Sequence, residues 1–246
     1  EHGVKRQDEN RSTMSTSRRS STTLALMPPL LLILMTAGLL LGPANISVDQ
    51  IAAILVRQLG WPLGLSQKID GVRPWMANVL VDVRLPRILV GALAGARLAT
   101  CGTVMQGMFR NPLASPSILG VSSGASLGAV LALYLGLASI SVWALPLFAF
   151  IGAGLTLFLV YRIASQRGHT AMGTLLLSGV AIGALNGALS ALILALSLNN
   201  WDVGRMIVYW TMGGLDGRTW DHVLLITPFM VLGTVSLLHF SRSLDA

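Results

Sequence analysis

The sequence predicts an all-α fold, a polytopic transmembrane helix bundle of about six spans, and three observations predict it. Apolar residues make up 53% of the 246 residues and charged residues only 11%, with a mean hydropathy of +0.70; a soluble domain is usually about a quarter charged. Only two lysines, Lys5 and Lys68, accompany 26 glycines, so the chain cannot cover a globular surface with charge. Finally, the stretches 24–48, 111–161, 170–201 and 223–241 contain no Asp, Glu, Lys or Arg. A helix needs about 20 largely apolar residues to cross the hydrocarbon, so the run 111–161 holds two crossings. This composition excludes an ordinary soluble enzyme, and disorder as well, which requires low hydrophobicity.

Residues 1–23 read as a cytoplasmic polar tail with Lys5, Arg6, Arg11, Arg18 and Arg19, reaching a first methionine at Met14, and 24–246 as one transmembrane domain. The first span is Leu24–Gly42, an apolar run long for a cleaved leader and without an A-x-A site behind it. In 46–59, Ile46, Ile51, Ile54, Leu55 and Leu59 recur at helical spacing around Asp49, Gln50 and Arg57, which suits a short helix outside the core. Pro62, Gly64, Gly71 and Pro74 mark a loop. Span two is Ile88–Phe109, stopped by Arg110-Asn111-Pro112. Spans three to six follow as Ile118–Gly136, Trp143–Ile163, Met172–Leu198 and Val223–Phe240. Between the last two, Trp201, Trp210 and Trp220 flank a possible interfacial helix over Val203–Met212.

With the amino terminus inside, Arg110, Arg162, Arg167 and Arg242 join the tail on the cytoplasmic side. Arg57, Lys68, Arg73, Arg84, Arg87, Arg205 and Arg218 fall outside. The positive-inside bias is weak, and an outer side so rich in arginine suits an acidic docking partner. The net charge of +7 resides in the tail and connections, so it does not read as a nucleic-acid surface. Glycine recurs every fourth residue at Gly120, Gly124 and Gly128 and again at Gly179, Gly183 and Gly187, which lets helix backbones approach closely.

No acidic residue occurs between Val83 and Trp201, whereas ion-coupled carriers place a carboxylate in the bundle. No GxxxxGK[ST] loop exists, so any ATP is bound by a separate subunit. Gly120-Val121-Ser122-Ser123-Gly124 matches G-x-S-x-G, but it opens a membrane helix, and His169, His222 and His239 lie by span ends; no catalytic residue is assigned. These histidines and Cys101 lack metal-ligand spacing, so no metal or cofactor is expected, and Cys101 reads as a packing residue. Arg97 lies near midplane, where an arginine costs roughly 2.5–3.5 kcal/mol; it faces an anionic solute, a local partner, or snorkels. Asn186, Ser190 and Ser197 fall within roughly 40° on one helix face, which lines a water-filled path or bonds between helices.

Arg84-Leu85-Pro86-Arg87, Gly95-Ala96-Arg97-Leu98-Ala99, Met105-Gln106, Arg110-Asn111-Pro112-Leu113-Ala114, Pro116 and Leu119-Gly120-Val121-Ser122-Ser123-Gly124-Ala125 occur in order. This set resembles the permease subunits of bacterial iron-siderophore, haem and cobalamin ABC importers, the type II importers. Leu175-Leu176-Leu177-Ser178-Gly179-Val180-Ala181 and Trp210-Thr211-Met212-Gly213-Gly214 are similar to the same family. The resemblance implies an inner-membrane subunit of about ten spans that pairs with a second permease as homodimer or sister pair. It also implies two cytoplasmic ATPases and a periplasmic or lipoprotein solute-binding protein as partners, with membrane lipid around the spans. The family's docking arginines carry over to Arg84 and Arg87, with Arg205 assisting, and its path-lining fifth span to the stripe at Asn186. Its cytoplasmic gate falls on Met172 and Gly173, which are not the small hydroxyl residues of relatives. Arg97 also departs from the family, which has a small residue there. The ending at 241–246 comes where relatives enter the ATPase-coupling loop, so the resemblance implies a fragment that does not transport alone.

Overall fold

The computed structural model describes residues 25–58, 73–112, 114–166 and 169–244. The tail at 1–23, the loop markers Pro62, Gly64 and Gly71, and Lys68, Leu113 and Arg167 lie outside the described residues, as does the side chain of Arg242. The chain divides into two compact units, Glu1–Ala92 with Asp216–Pro228, and Leu93–Leu215 with Phe229–Ala246.

The first unit holds α1 (Ala25–Leu40), α2 (Val48–Gln58), α3 (Pro74–Asn78), a π-helical turn over Val79–Arg84 and the beginning of α4 (Leu85–Phe109). Reciprocal capping starts α2: the Ser47 N–H donates to Gln50 Oε1 at 3.1 Å, and the Gln50 N–H to Ser47 Oγ at 3.4 Å. Asp49 in the first turn and Arg57 in the last suit the helix dipole. The face expected of this helix is its buried one, with Ile51 and Ile54 packing on Ile46 and Leu80.

One boundary is corrected. Pro74, read as a loop marker, is the first residue of α3, where its missing N–H costs nothing. Helix therefore runs continuously over Pro74–Phe109, beginning well before the expected Ile88. Asp82, Arg84 and Arg87 interrupt the hydrophobicity of this segment without interrupting its helicity.

The second unit contains α5 (Val121–Tyr134), α6 (Ala144–Ala164), α7 (Met172–Leu196) and α8 (Trp201–Met212), with the rest of α4 and of α9 (Trp220–Leu244). A two-residue antiparallel pairing, β1 (Ser165–Gln166) on β2 (His169–Thr170), joins α6 to α7. The α8 helix is capped by the Asn200 carboxamide, which accepts from the Val203 N–H. Its Ile207 is buried against Val130 and Leu133 of α5, so the segment expected at the interface is anchored in the core.

The α5 helix packs against both α6 and α7, and glycine decides how closely. A Cβ on Gly124 would strike Thr156 and the Gly152 carbonyl, and one on Gly128 would strike the Phe148 carbonyl. Gly152 in turn faces the Gly124 carbonyl, and a Cβ there would sit 3.2 Å from the Gly128 Cα. The first glycine series thus does two jobs. Gly120 has φ +74°, so it breaks the expected span into a 3-10 turn, Pro116–Leu119, and the 14-residue α5. Gly179 lies under Ile118 and Leu119, where a Cβ would approach the Leu119 Cα to 2.8 Å. Gly183 makes looser contact, with Ser123 Oγ at 3.6 Å, and Gly187 has nothing within 4 Å of an added Cβ; the packing expected at Gly187 is therefore not formed in this structure.

Among the described residues four helices are long and apolar enough to cross a membrane, Pro74–Phe109, Ala144–Ala164, Met172–Asn199 and Trp220–His239, while Ala25–Leu40 and Val121–Tyr134 are shorter apolar helices. Replacing Gly124 with Val should lower the unfolding midpoint in detergent by an amount equivalent to about 1–3 kcal/mol or more, because backbone lies opposite. Gly187→Ala should be neutral or stabilising by roughly 0.5–1 kcal/mol. Equal losses at both positions would contradict the packing described.

Candidate functional site

Chain chemistry concentrates at four arginines and one asparagine. Arg84 closes the π-helical turn and is buried, at 7% exposure. Its Nη1 donates to the Leu39 carbonyl at 2.6 Å and its Nη2 to the Ala44 carbonyl. Leu39 belongs to the last turn of α1, whose carbonyls have no intrahelical partner, and a guanidinium there also meets the negative end of the helix dipole. Gly42 makes the room, since a Cβ on it would lie 2.8 Å from Arg84 Cζ. The expected outer, proline-fixed turn is thus corrected: Arg84 and Arg87 lie on a helix, and Arg84 ties down the end of α1 and the chain after it, with its donors turned inward.

Arg87 behaves differently. It is exposed, and its Nη1 pairs with Asp216 Oδ1 at 2.7 Å, with both side chains more than half accessible. Arg205 on α8 is also exposed and meets Asp202, three residues earlier, at 3.7 Å. Exposed pairs of this kind contribute little to stability, which leaves both guanidiniums free to exchange one carboxylate for another.

Arg97 is held within the second unit. Its Nη2 donates to the Phe229 carbonyl of α9 at 2.6 Å, and its Nε points at the Met230 sulfur. Gly233, one turn further along α9, leaves the space: a Cβ there would stand 2.8 Å from Arg97 Nη1. Of the readings open for Arg97, the local partner is the one the structure forms, and a contact with solute is not needed to accommodate its charge.

Asn186 is 6% exposed, and its Nδ2 donates to Thr156 Oγ1 on α6 at 3.0 Å and to Ser123 Oγ on α5 at 3.2 Å. Ser123 completes the network by donating to the Gly120 carbonyl at 2.8 Å. One carboxamide thereby bonds three helices beside the glycine contacts. Ser190 donates to the Asn186 carbonyl and Ser197 to the Ile193 carbonyl, and Ser197 is 2% exposed. Of the polar stripe, Asn186 points into α5 and α6, Ser190 bonds back within α7, and Ser197 falls in the 3-10 turn Ser197–Asn199 that follows α7. In this structure the expected path lining at Asn186 and Ser197 gives way to helix bonding. In the G-x-S-x-G match the serine position is Ser122, which is exposed on α5, while the neighbouring Ser123 bonds Gly120 and Asn186.

Met172 and Gly173, expected at the gate, open α7 after Ala171; Met172 is exposed and borders an apolar cleft, and Gly173 has open space around it. Sequence reasoning missed Thr156, Asp216 and Gly233, each the partner of a residue it had singled out, and named Ser123 only within a motif. Only Thr156 left a trace, four residues after Gly152 in a small-xxx-small spacing. Among the described residues no cluster of His, Cys, Asp or Glu suits a metal ion.

Arg84→Ala should lower stability by about 3 kcal/mol, because it removes charge-assisted bonds and orphans two carbonyls. Arg87→Ala should stay within about 0.5 kcal/mol of the parent. Thermal unfolding of the purified protein separates the two, and equal midpoints would contradict the division between a buried and an exchangeable arginine.

Comparison with known proteins fits this architecture. The model of the FecCD transport family matches residues 30–246. The cobalamin import system permease protein BtuC of Halobacterium salinarum is 38% identical over 231 residues, 83% of this chain and 61% of that protein. The Fe(3+)-citrate import system permease protein YfmD of Bacillus subtilis is 41% identical over 167 residues, covering 68% and 48%. A solved structure described as an inward-facing conformation of a metal-chelate type ABC transporter superposes with a TM-score of 0.72 at 29% identity, over 91% of this chain and 63% of its own. The chain spans less than two thirds of the length of these relatives. Long apolar helices and this kinship together make it a multi-pass protein of the inner (plasma) membrane. With the match extending from within α1 to the end of α9, the chain belongs to the FecCD transport family.

Proposed function

We propose that the chain is part of the membrane-spanning permease subunit of an ATP-driven type II importer, and that its cargo is an iron-siderophore-like complex moved by alternating access. The observation that carries this reading is the family match across a bundle with no carboxylate between Val83 and Trp201. An ion-coupled carrier would need such a group for its coupling ion. The chain performs no bond chemistry of its own in this reading. Cytoplasmic ATPase subunits supply the energy, a second permease subunit completes the path, and a solute-binding protein delivers cargo from outside.

Arg87 is the proposed docking residue, with Arg205 assisting. A guanidinium already paired with a surface carboxylate can accept a glutamate of the binding protein in the same fork geometry. Docking at Arg87 then displaces Asp216, so the resident pair holds the arginine extended until the partner arrives. Met172 and Gly173 are retained as the proposed gate position, without the hydroxyl groups of relatives. Haem or cobalamin is the second cargo reading, and of the two cobalamin is favoured by the name of the Halobacterium relative that aligns with 83% of this chain.

The test is uptake of a ferric siderophore into vesicles holding the whole gene product, its ATPase and its binding protein. Uptake should require ATP inside and survive an ionophore. Arg87→Glu should slow it most at low salt, where charge is least screened, while Asp216→Asn should tighten binding-protein docking. Uptake driven by an ion gradient without ATP would overturn the proposal. Docking affinity indifferent to both substitutions would remove Arg87 from it.

A further inference from the structure

We propose that the cleft between α4, α6 and α7 is a binding site for an anionic phospholipid, with the acyl chains in the cleft and the headgroup phosphate on Arg110 and Arg162. The cleft measures about 590 Å³ and is walled by apolar side chains, among them Phe109, Leu157, Phe158, Tyr161 and Met172. That volume is typical of small-molecule sites, about 300–1,000 Å³. Its residues all belong to the second unit.

Charge at the cleft is one-sided. Arg110 directly follows Phe109, and Arg162 lies one turn beyond Phe158 on the same face of α6, next to Tyr161. Both arginines are exposed, and among the described residues neither side chain forms an ion pair or hydrogen bond. No Asp or Glu occurs in the sequence between Val83 and Trp201, so neither this part of α4 nor α6 or α7 supplies a carboxylate.

The backbone at Arg110 adds an independent observation. The Arg110 N–H bonds the Gly107 carbonyl at 3.2 Å and the Asn111 N–H the Gln106 carbonyl at 3.2 Å, with Pro112 next. This is a Schellman ending, and its left-handed position, φ +48°, is held by Arg110 where glycine is ordinarily found. A helix end favours a cation nearby, but that preference does not require one in a left-handed conformation. Two unpaired arginines, each directly following a residue that lines an apolar cleft, suit an amphipathic anion. In a membrane, that chemistry is the phosphate and hydrocarbon of an anionic lipid, which basic pockets between spans bind.

The experiment is native mass spectrometry of the whole gene product exchanged into detergent with phosphatidylglycerol or phosphatidylethanolamine. The parent should retain phosphatidylglycerol with a roughly thirtyfold preference, from two guanidiniums. Arg110→Gly, which relieves the backbone and should raise the unfolding midpoint, should nevertheless reduce that preference, and Arg110→Gly with Arg162→Gln should abolish it. Gly154→Leu, at a lining position with open space around an added Cβ, should fill the cleft and lower retention of both lipids. Equal retention of the two lipids by the parent would overturn the proposal. So would an undiminished preference in the double variant, unchanged retention in Gly154→Leu, or displacement of the lipid by an acidic segment of a partner or of the rest of the gene product.

Discussion

The contact of backbone on backbone between α5 and its neighbours is the constraint on which the second unit depends. Hydrocarbon side chains gain nothing by leaving lipid for a bundle of similar polarity, so helices must be held by close packing and hydrogen bonds. Gly124, Gly128 and Gly152 provide the first, and the Asn186 carboxamide, placed beside them, provides the second. The two support one another. Close helix approach lets one short carboxamide reach Ser123 and Thr156 together, and that donor gives Thr156 its partner and Ser123 a second one beside the Gly120 carbonyl.

Charge is treated by the same logic in graded form. Where a guanidinium is buried, as at Arg84, carbonyls at the end of α1 receive it and Gly42 clears the space. Within a long apolar helix, Arg97 finds the Phe229 carbonyl and a gap at Gly233. At exposed positions, Arg87 and Arg205 have a single carboxylate each, which holds them loosely enough to be exchanged. Burial separates the arginines that build the fold from those available to a partner, although two of them belong to a single short motif.

Hydrophobic length made the spans legible, and α6, α7 and α9 lie close to where the sequence places them. The start of the helix preceding α4 was not legible, because Asp82 and Arg84 disguise a continuous helix as a connection and Pro74 serves as a start as readily as a break. Glycine spacing revealed that close approach occurs but not what approaches: Gly124 and Gly128 meet α6, Gly120 makes a turn, and Gly187 stands clear. Periodicity likewise placed Asn186, Ser190 and Ser197 on one face. Which neighbour that face meets depends on tertiary packing, which a single helix does not encode, and the same limit hid Asp216 and Gly233 as partners.

The most direct test of this account is the wetness of the α5–α6–α7 contact during transport. Thr156→Cys, introduced with Cys101→Ser and probed by a membrane-impermeant thiol reagent from either side, reads it at the hydroxyl that accepts from Asn186. The account predicts no labelling at rest or during ATP turnover, because the position is 4% exposed and enclosed by helices. Rapid labelling by the water-borne reagent would place the polar stripe on the solute path and contradict its role in holding the helices together.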